Sequence, residues 1–345
     1  MLGGGVYITQ NKVLPGSYIN FVNTANVTSA VGERGTVAIA LPIGKAVGTV
    51  IELTRNDFAQ NCETILGVKY NSAEVIALRE IFCHATKVYL YDLGEGNTVE
   101  DVCKALEPYE FNILCAYTDI TSDISAYITQ IKAWRDDMGK KCQLVVYNAT
   151  APNHEGVINV ISTVSNDDAD AFALTAWVAG AEAGCAVYES CTNMLYDGEY
   201  TIETDKTQTE LEEYVTAGQL AFHRVYGEIR VLEDINSLTS TTADKSDDFK
   251  NNQTIRVIDQ IANDIAKLFN TKYLGRIPNN ASGRVSLWRD IVAHHRELER
   301  VQAIENFDPT LVTVEQGTTK KSVVINDVIT VTNCMSQLYM TVVVQ

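Results

Sequence analysis

The stretch that decides the fold is the C-terminal one, SVVINDVITVTNCMSQLYMTVVVQ, residues 322–345. It is rich in β-branched residues, and its last part predicts a strand that is largely apolar on both faces. The two faces carry Leu338, Met340, Val342 and Val344 on one side and Tyr339, Thr341 and Val343 on the other. A strand that is apolar on both faces needs neighbours on every side, and no charge protects its edge. The sequence therefore predicts either a central strand of the chain's own sheet or a strand that is completed by another copy.

The opposite end of the chain, residues 1–24, predicts an arm. A glycine run leads into a short β-prone segment formed by Val6, Tyr7 and Ile8. These residues supply too little apolar mass for a core of their own, so we expect the arm to lie on something else.

Residues 25–236 predict an α/β domain. The strand-like segments TVAIALP, TVIEL, KVYLYDL, NILCAY and QLVVYN alternate with helix-like segments at 71–84, 98–106 and 121–138. This alternation is typical of a layered domain whose sheet is at least partly parallel. The second half of the domain is acidic, because residues 151–215 hold thirteen acidic side chains and one base, Lys206.

The remaining chain predicts a second, α+β unit. Residues 237–321 contain two long helices, the second running from about 282 to 304, and residues 322–345 form a β arm. On the second helix, 100° per residue places Arg289, Arg296 and Arg300 on one stripe, opposite an apolar side. The stripe is either an ordinary solvated face, paired with neighbouring acids, or a docking ridge for an acidic partner.

Several function classes find no support in the residues. The chain of 345 residues has a net charge of −17, which disfavours nucleic acid as a partner. Its eight cysteines form no C-x-x-C pair, and no window is long and apolar enough for a membrane span. We therefore expect no metal, no cofactor, no membrane insertion and buried, reduced thiols in an intracellular site of synthesis.

Two local sequence patterns resemble parts of chemical sites, but neither has all the features that such a site requires. Gly94–Asn97 stands where a phosphate loop would stand, but it lacks the remaining glycines and the lysine of such loops. His294 and His295 are adjacent on a helix, diverge by about 100° and project toward the apolar side, which favours a core or interface role. The residues thus nominate no catalytic group, although an α/β enzyme or nucleotide-binding protein stays open as the alternative.

Three segments carry a resemblance to a known family. They are LPGSYINF (14–21), NQTIRVIDQIANDIAKLFNTKYLGRIPNNASGR (252–284) and MSQLYMTVVV (335–344). In these segments the chain resembles contractile tail sheath proteins of phages and of phage-tail-like bacteriocins, and the middle of the chain is similar only in architecture.

The resemblance implies a structural role in place of a catalytic one. A sheath subunit polymerises in stacked rings around an inner tube and contracts to drive the tube through a target cell envelope. Its expected partners are other copies of itself, the inner tail tube protein, and baseplate and tail terminator proteins. The protein would be synthesised in the bacterial cytoplasm and become part of a virion tail or of a released particle.

The resemblance also implies two kinds of contact residue. Arms that cross between subunits would complete a shared small sheet, and a helix of the C-terminal domain would face the tube, with Arg289, Arg296 and Arg300 as its contacts. The expected strand-exchange residues are Val6, Tyr7, Ile8, Val323, Ile325, Val328, Leu338, Met340, Val342 and Val344.

Overall fold

A seven-stranded sheet lies at the centre of the larger domain in the computed structural model, which describes residues 31–165 and 169–344. The strand order is β2-β3-β1-β4-β5-β6-β7, and every pairing is parallel except that of β2 with β3. The strands are β1 (Thr36–Leu41), β2 (Val50–Thr54), β3 (Lys87–Asp92), β4 (Ile113–Cys115), β5 (Gln143–Tyr147), β6 (Val157–Val160) and β7 (Gln219–Leu220). The predicted α/β class and partly parallel sheet are confirmed.

Helices cover both faces of this sheet. Alternate side chains of β1 enter two separate cores: Val37 and Ile39 belong to one, and Ala38 belongs to the other. This is the pattern of a strand buried between two helical layers. The helices of this domain are α1 (Arg55–Leu66), α2 (Ile76–Phe82), α3 (Val99–Leu106), α4 (Thr121–Lys132), α5 (Leu174–Gly184) and α6 (Gln208–Thr216).

Helix α5 is buried along nearly its whole length. Apart from Glu182 its alanine-rich sequence is largely apolar on all sides, as expected of a helix that lies inside a core. A Cβ atom at Gly180 would lie 2.3 Å from the carbonyl oxygen of Ile81, so glycine allows the backbone of α5 to approach α2.

Two elements of the larger domain were not expected from the sequence. Helix α1 begins after Thr54, whose side chain accepts a hydrogen bond from the backbone N–H of Asp57. Strand β6 extends the parallel sheet beyond β5. After the larger domain, Ser237 and Leu238 are still buried, and an exposed stretch begins only after them.

The C-terminal part is built on two long helices, α7 (Asn252–Leu268) and α8 (Ala281–Arg300), close to the predicted positions. Small antiparallel pairs lie beside them. The remaining strands of the described chain are β8 (Phe222–Val225), β9 (Glu228–Val231), β10 (Ile304–Glu305), β11 (Thr313–Gln316), β12 (Val323–Asn326) and β13 (Thr330–Val331). Strand β8 pairs with β9, β10 with β13, and β11 with β12.

The first half of α7 joins the two parts of the chain through a buried polar face. Arg256 donates to Glu182 Oε2 at 2.6 Å and to Asp234 Oδ2 at 3.2 Å. Asp259 accepts two hydrogen bonds from the guanidinium of Arg135, at 2.5 and 2.9 Å. All five side chains are buried. The contact between the domains therefore rests on paired charges as well as on apolar packing.

Candidate interaction surfaces

The C-terminal end of the described chain leaves the molecule after Cys334. Up to that point it is held by Gln253, whose side chain donates to Thr332 O at 3.2 Å and accepts from Cys334 N at 2.9 Å. Beyond it the side chains are exposed, with Leu338 at 86% and Val344 at 90%. Residues 332–344 contain no assigned helix or strand.

This placement excludes one of the two alternatives that the sequence left open for the terminal stretch. A central strand in the chain's own sheet is wrong for residues 338–344, because they are exposed and pair with no strand among the described residues. Completion by another copy stays a prediction. An uncharged segment whose large apolar side chains face water is a surface that a partner would cover.

The other expected strand-exchange residues fall into three groups. Val323 and Ile325 belong to β12, where they pair with β11 of the same chain and pack on a small core below α8. Val328 is 55% exposed in the segment between β12 and β13, so residues 323–331 form two short strands and not one. Val6, Tyr7 and Ile8 lie outside the described residues.

The cationic stripe on α8 is present as projected. Arg289, Arg296 and Arg300 are exposed, while Leu287, Ile291 and Leu298 on the opposite side are buried. Arg300 donates to both carboxylate oxygens of Glu297, at 2.8 and 2.5 Å, on the solvent-facing side of the helix. The stripe thus presents guanidinium groups outward from a helix whose other side is fixed in a core.

The two adjacent histidines are buried, as expected, but their environment is polar. His294 Nε2 lies 2.9 Å from Asp264 Oδ2, and His295 Nε2 lies 2.6 Å from Asp327 Oδ2. The two Nδ1 atoms lie 3.2 Å apart. The expected divergence of neighbouring helical side chains therefore did not exclude a contact between the rings. Sequence reasoning missed both aspartates, which lie about 30 positions away and have no spacing signal.

Doubly wound sheets bind ligands at the carboxyl ends of their strands, where the strand order reverses, which in this sheet is beside β1. At this edge the loop after β1 is held by contacts within the chain. Asp92 ends β3 there, is fully buried, and accepts hydrogen bonds from the backbone N–H groups of Ile43, Gly44 and Ala46. At Gly94 the following turn is closed by Asn97 Oδ1, at 2.7 Å. These contacts favour a plain turn over a nucleotide site.

Two clusters of potential metal ligands occur among the described residues. In the cluster of Glu182, Cys191 and Asp234, the guanidinium of Arg256 takes the place of a cation, at 2.6 Å from Glu182 Oε2. Burial raises the pKa of Glu182 well above its usual range. The pKa of Asp234 stays below its usual range despite burial, chiefly because of Arg256. The cluster thus stabilises a buried arginine.

The second cluster joins Asp136, His154 and Glu155. His154 Nδ1 accepts a hydrogen bond from the backbone N–H of Gly156 at 3.0 Å. Burial lowers the pKa of His154, so its neutral form is favoured, with the proton on Nε2. The protonated Nε2 faces Asp136 Oδ2 at 3.3 Å. In this form neither ring nitrogen has a free lone pair for a metal, because that of Nδ1 accepts from Gly156.

The described cysteine thiols are free, and burial makes several of them poor nucleophiles. Burial raises the pKa of Cys103 and of Cys142 to about 12, which keeps both as neutral thiols. The described part of the chain also contains no helix that is both long and apolar enough to cross a membrane.

The fold and these surfaces define a class: an α/β chain with a smaller, helical C-terminal part and an exposed apolar C-terminal end. Two family models match it, the phage tail sheath protein central domain over residues 95–237 and the phage tail sheath C-terminal domain over residues 244–345. The chain belongs to the phage tail sheath family, which confirms the resemblance found in the sequence.

Individual relatives agree with this assignment. A tail sheath protein of Clostridium phage phiCD119 is 30% identical over 224 residues, which is 64% of this chain and 62% of that protein. The matched stretch thus spans less than two thirds of that relative's length. The crystal structure of a sheath tail protein from Desulfitobacterium hafniense matches 94% of this chain and 99% of its own, with a TM-score of 0.80 and 25% identity.

A more distant structure shares the fold alone. The helical sheath of the anti-feeding prophage in its contracted state matches 96% of this chain and 99% of its own, with a TM-score of 0.73 and 14% identity.

Proposed function

We propose that the chain is a structural, non-enzymatic subunit of a contractile tail sheath. It polymerises with copies of itself around an inner tube and contracts to drive the tube through a target cell envelope. The observation that carries the proposal is the exposed, uncharged C-terminal end, residues 335–344, on a chain of the tail sheath family. Baseplate and tail terminator proteins would bind the two ends of the polymer, and the protein would function as part of a phage tail or a released tail-like particle after synthesis in the bacterial cytoplasm.

Burial of the exposed C-terminal side chains would supply the free energy that links one subunit to the next. Each large apolar side chain that moves from water into an interface contributes about 1.5–3 kcal/mol. Leu338, Met340, Val342 and Val344 lie on one face of an extended segment, so a partner that covers this face gains several such contributions. Strand addition would also pair the backbone N–H and C=O groups of the segment. Val323, Ile325 and Val328, next to the point where the segment leaves, would border the shared sheet, and Val6, Tyr7 and Ile8 of another copy would supply a further strand.

The cationic stripe of α8 supports a contact with the inner tube. Its three guanidinium groups project from a rigid helix, and an acidic tube surface would complement them. Each exposed ion pair is weak, but a helical lattice repeats the contact once per subunit, so that small contributions add.

The first experiment is negative-stain electron microscopy of the full chain beside a variant that ends at Ser336. We expect hollow tubes from the full chain and single subunits from the variant. The truncation should change the free energy of unfolding of the subunit by less than about 0.5 kcal/mol, because the deleted side chains are exposed. A Met340→Pro variant tests strand addition directly, since proline removes one backbone donor, and Thr341→Ser is its matched control. Tubes formed by the truncated chain would refute the linking role.

The tube contact is tested by reversing the three charges of the stripe, Arg289→Glu, Arg296→Glu and Arg300→Glu. We expect loss of co-assembly with the tube protein and an unchanged fold by circular dichroism. The control variant reverses three exposed lysines of the larger domain, Lys45, Lys69 and Lys104, and so changes the net charge equally. Equal co-assembly of both variants would exclude the stripe as the tube contact.

A further inference from the structure

Four side chains form a continuous row through the buried side of α8. Asp264 of α7 contacts His294, His294 contacts His295, and His295 contacts Asp327 in the turn before β13. The three distances are 2.9 Å, 3.2 Å and 2.6 Å. Both histidines are at most 2% exposed, so water does not take part in most of these contacts.

The contacts of the row determine which ring nitrogens carry the first two protons. Asp264 also accepts from the backbone N–H of Gly32 at 3.0 Å and from Gln260 Nε2 at 2.9 Å, so it acts as an acceptor. His294 therefore donates from Nε2 to Asp264, and His295 donates from Nε2 to Asp327. With those two protons alone, the Nδ1 lone pairs of the two rings would face each other at 3.2 Å. One further proton between the Nδ1 atoms turns this repulsion into an N–H···N hydrogen bond.

The row also joins two distant parts of the chain to α8. Gly32 lies near the start of the described residues, and a Cβ atom there would lie 2.4 Å from Asp264 Oδ1, so a larger residue would displace the Asp264 side chain. Asp327 lies just before β13, which pairs with β10, and the backbone N–H of Thr332 donates to Ala303 O at 3.0 Å. The chain leaves the molecule two residues later, after Cys334. The ring of Phe307 also lies beside the row, 5.1 Å from that of His295.

We propose that His294 and His295 share a third proton and thereby form a proton-dependent clasp, which holds the segments around Gly32 and Asp327 against α8. At lower pH the shared proton is present and all three hydrogen bonds of the row are made. As pH rises and the proton leaves, one ring must turn or one contact must break, and the segment after Asp327 loosens. The groups that face the pair are Asp264 and Gln260 of α7, Asp327, and the backbone of Gly32. This inference concerns contacts within one subunit and does not depend on the proposed function.

The proton count is tested by nuclear magnetic resonance of the full chain with ¹⁵N-labelled histidine. At low pH we expect three protons on the four ring nitrogens of the pair, including one on an Nδ1 atom that exchanges slowly with water. Two protons at every pH, both on Nε2, would overturn the proposal.

The clasp itself is tested by amide hydrogen exchange of residues 328–332, corrected for the intrinsic effect of pH. We expect exchange in the natural chain to accelerate about tenfold to a hundredfold over the pH range in which the third proton leaves, as for the loss of one charge-assisted hydrogen bond. The His295→Gln variant should lose this pH dependence. Gly32→Ala should loosen residues 31–34 in preference to 328–332.

The matched control is His84→Gln, which removes a histidine that pairs with Asp197 at 3.1 Å outside the row. This variant should keep the pH dependence of residues 328–332. If the natural chain loses its third proton without any change of exchange at 328–332, the pair is not a clasp. That outcome is measurable on the unmodified protein, even if a variant fails to fold.

Discussion

The bidentate pair between Arg135 and Asp259 allows a quantitative test of how the two domains are joined. Both side chains are nearly fully buried, at 4% and 7% exposed, and the two hydrogen bonds measure 2.5 and 2.9 Å. Replacing Arg135 by methionine keeps most of the side-chain volume and leaves a buried carboxylate without its partner. Breaking a buried pair from one side costs about 3–5 kcal/mol. Arg135 also donates to Cys142 O at 2.8 Å, which adds about 1 kcal/mol.

We therefore expect Arg135→Met to lower the free energy of unfolding by about 4–6 kcal/mol, the sum of these two contributions. The double variant Arg135→Met/Asp259→Leu should recover most of this loss, because no charge is then left buried. Urea denaturation of the variant that ends at Ser336 measures both values without polymerisation. A loss below about 1 kcal/mol in Arg135→Met, or a double variant as unstable as the single ones, would refute the view that paired charge holds α7 against the larger domain.

Two further perturbations test local features of the loop after β5. Ala151 has a φ of 41°, which is unfavourable for a residue with a Cβ atom. Ala151→Gly should therefore raise the free energy of unfolding by about 0.5 kcal/mol. The control Ala149→Gly should lower it. Burial lowers the pKa of His154 below 6.5, so the unfolded chain binds this proton more tightly and stability falls as pH drops below that value. His154→Gln should reduce the decrease in Tm between about pH 7 and pH 5; an unchanged decrease would contradict this.

The elements that the sequence predicted well are those whose signal is local. Strands such as β3 and β5 are continuous apolar runs, and α3 begins with the capping box of Thr98 and Asp101. Helix α1 carried a comparable signal that was missed: Thr54 caps it, and its buried residues Phe58, Cys62 and Leu66 recur every four positions. Its low overall hydrophobicity concealed this periodicity.

The polar contacts of the C-terminal domain were not predictable in the same way. The isoleucines of α7 recur at helical spacing, which is typical of an apolar face, yet the buried residues of its first turns include Asn252, Gln253 and Arg256. Their partners come from segments up to about 110 positions away, so neither periodicity nor spacing points to them. The same holds for Asp264 and Asp327 beside the histidine pair. Exposure of the arginine stripe on α8, by contrast, followed from helical geometry alone.

The distribution of these contacts indicates which parts of the subunit would move in a contracting polymer. Buried paired charges connect α7 with the larger domain, and a small displacement there would leave a charge without compensation. The C-terminal end is held by neutral hydrogen bonds, between Gln253 and the backbone of Thr332 and Cys334. Each contributes only about 1 kcal/mol. We therefore expect the two domains to move as one body, and the change of angle between subunits to take place at residues 332–336.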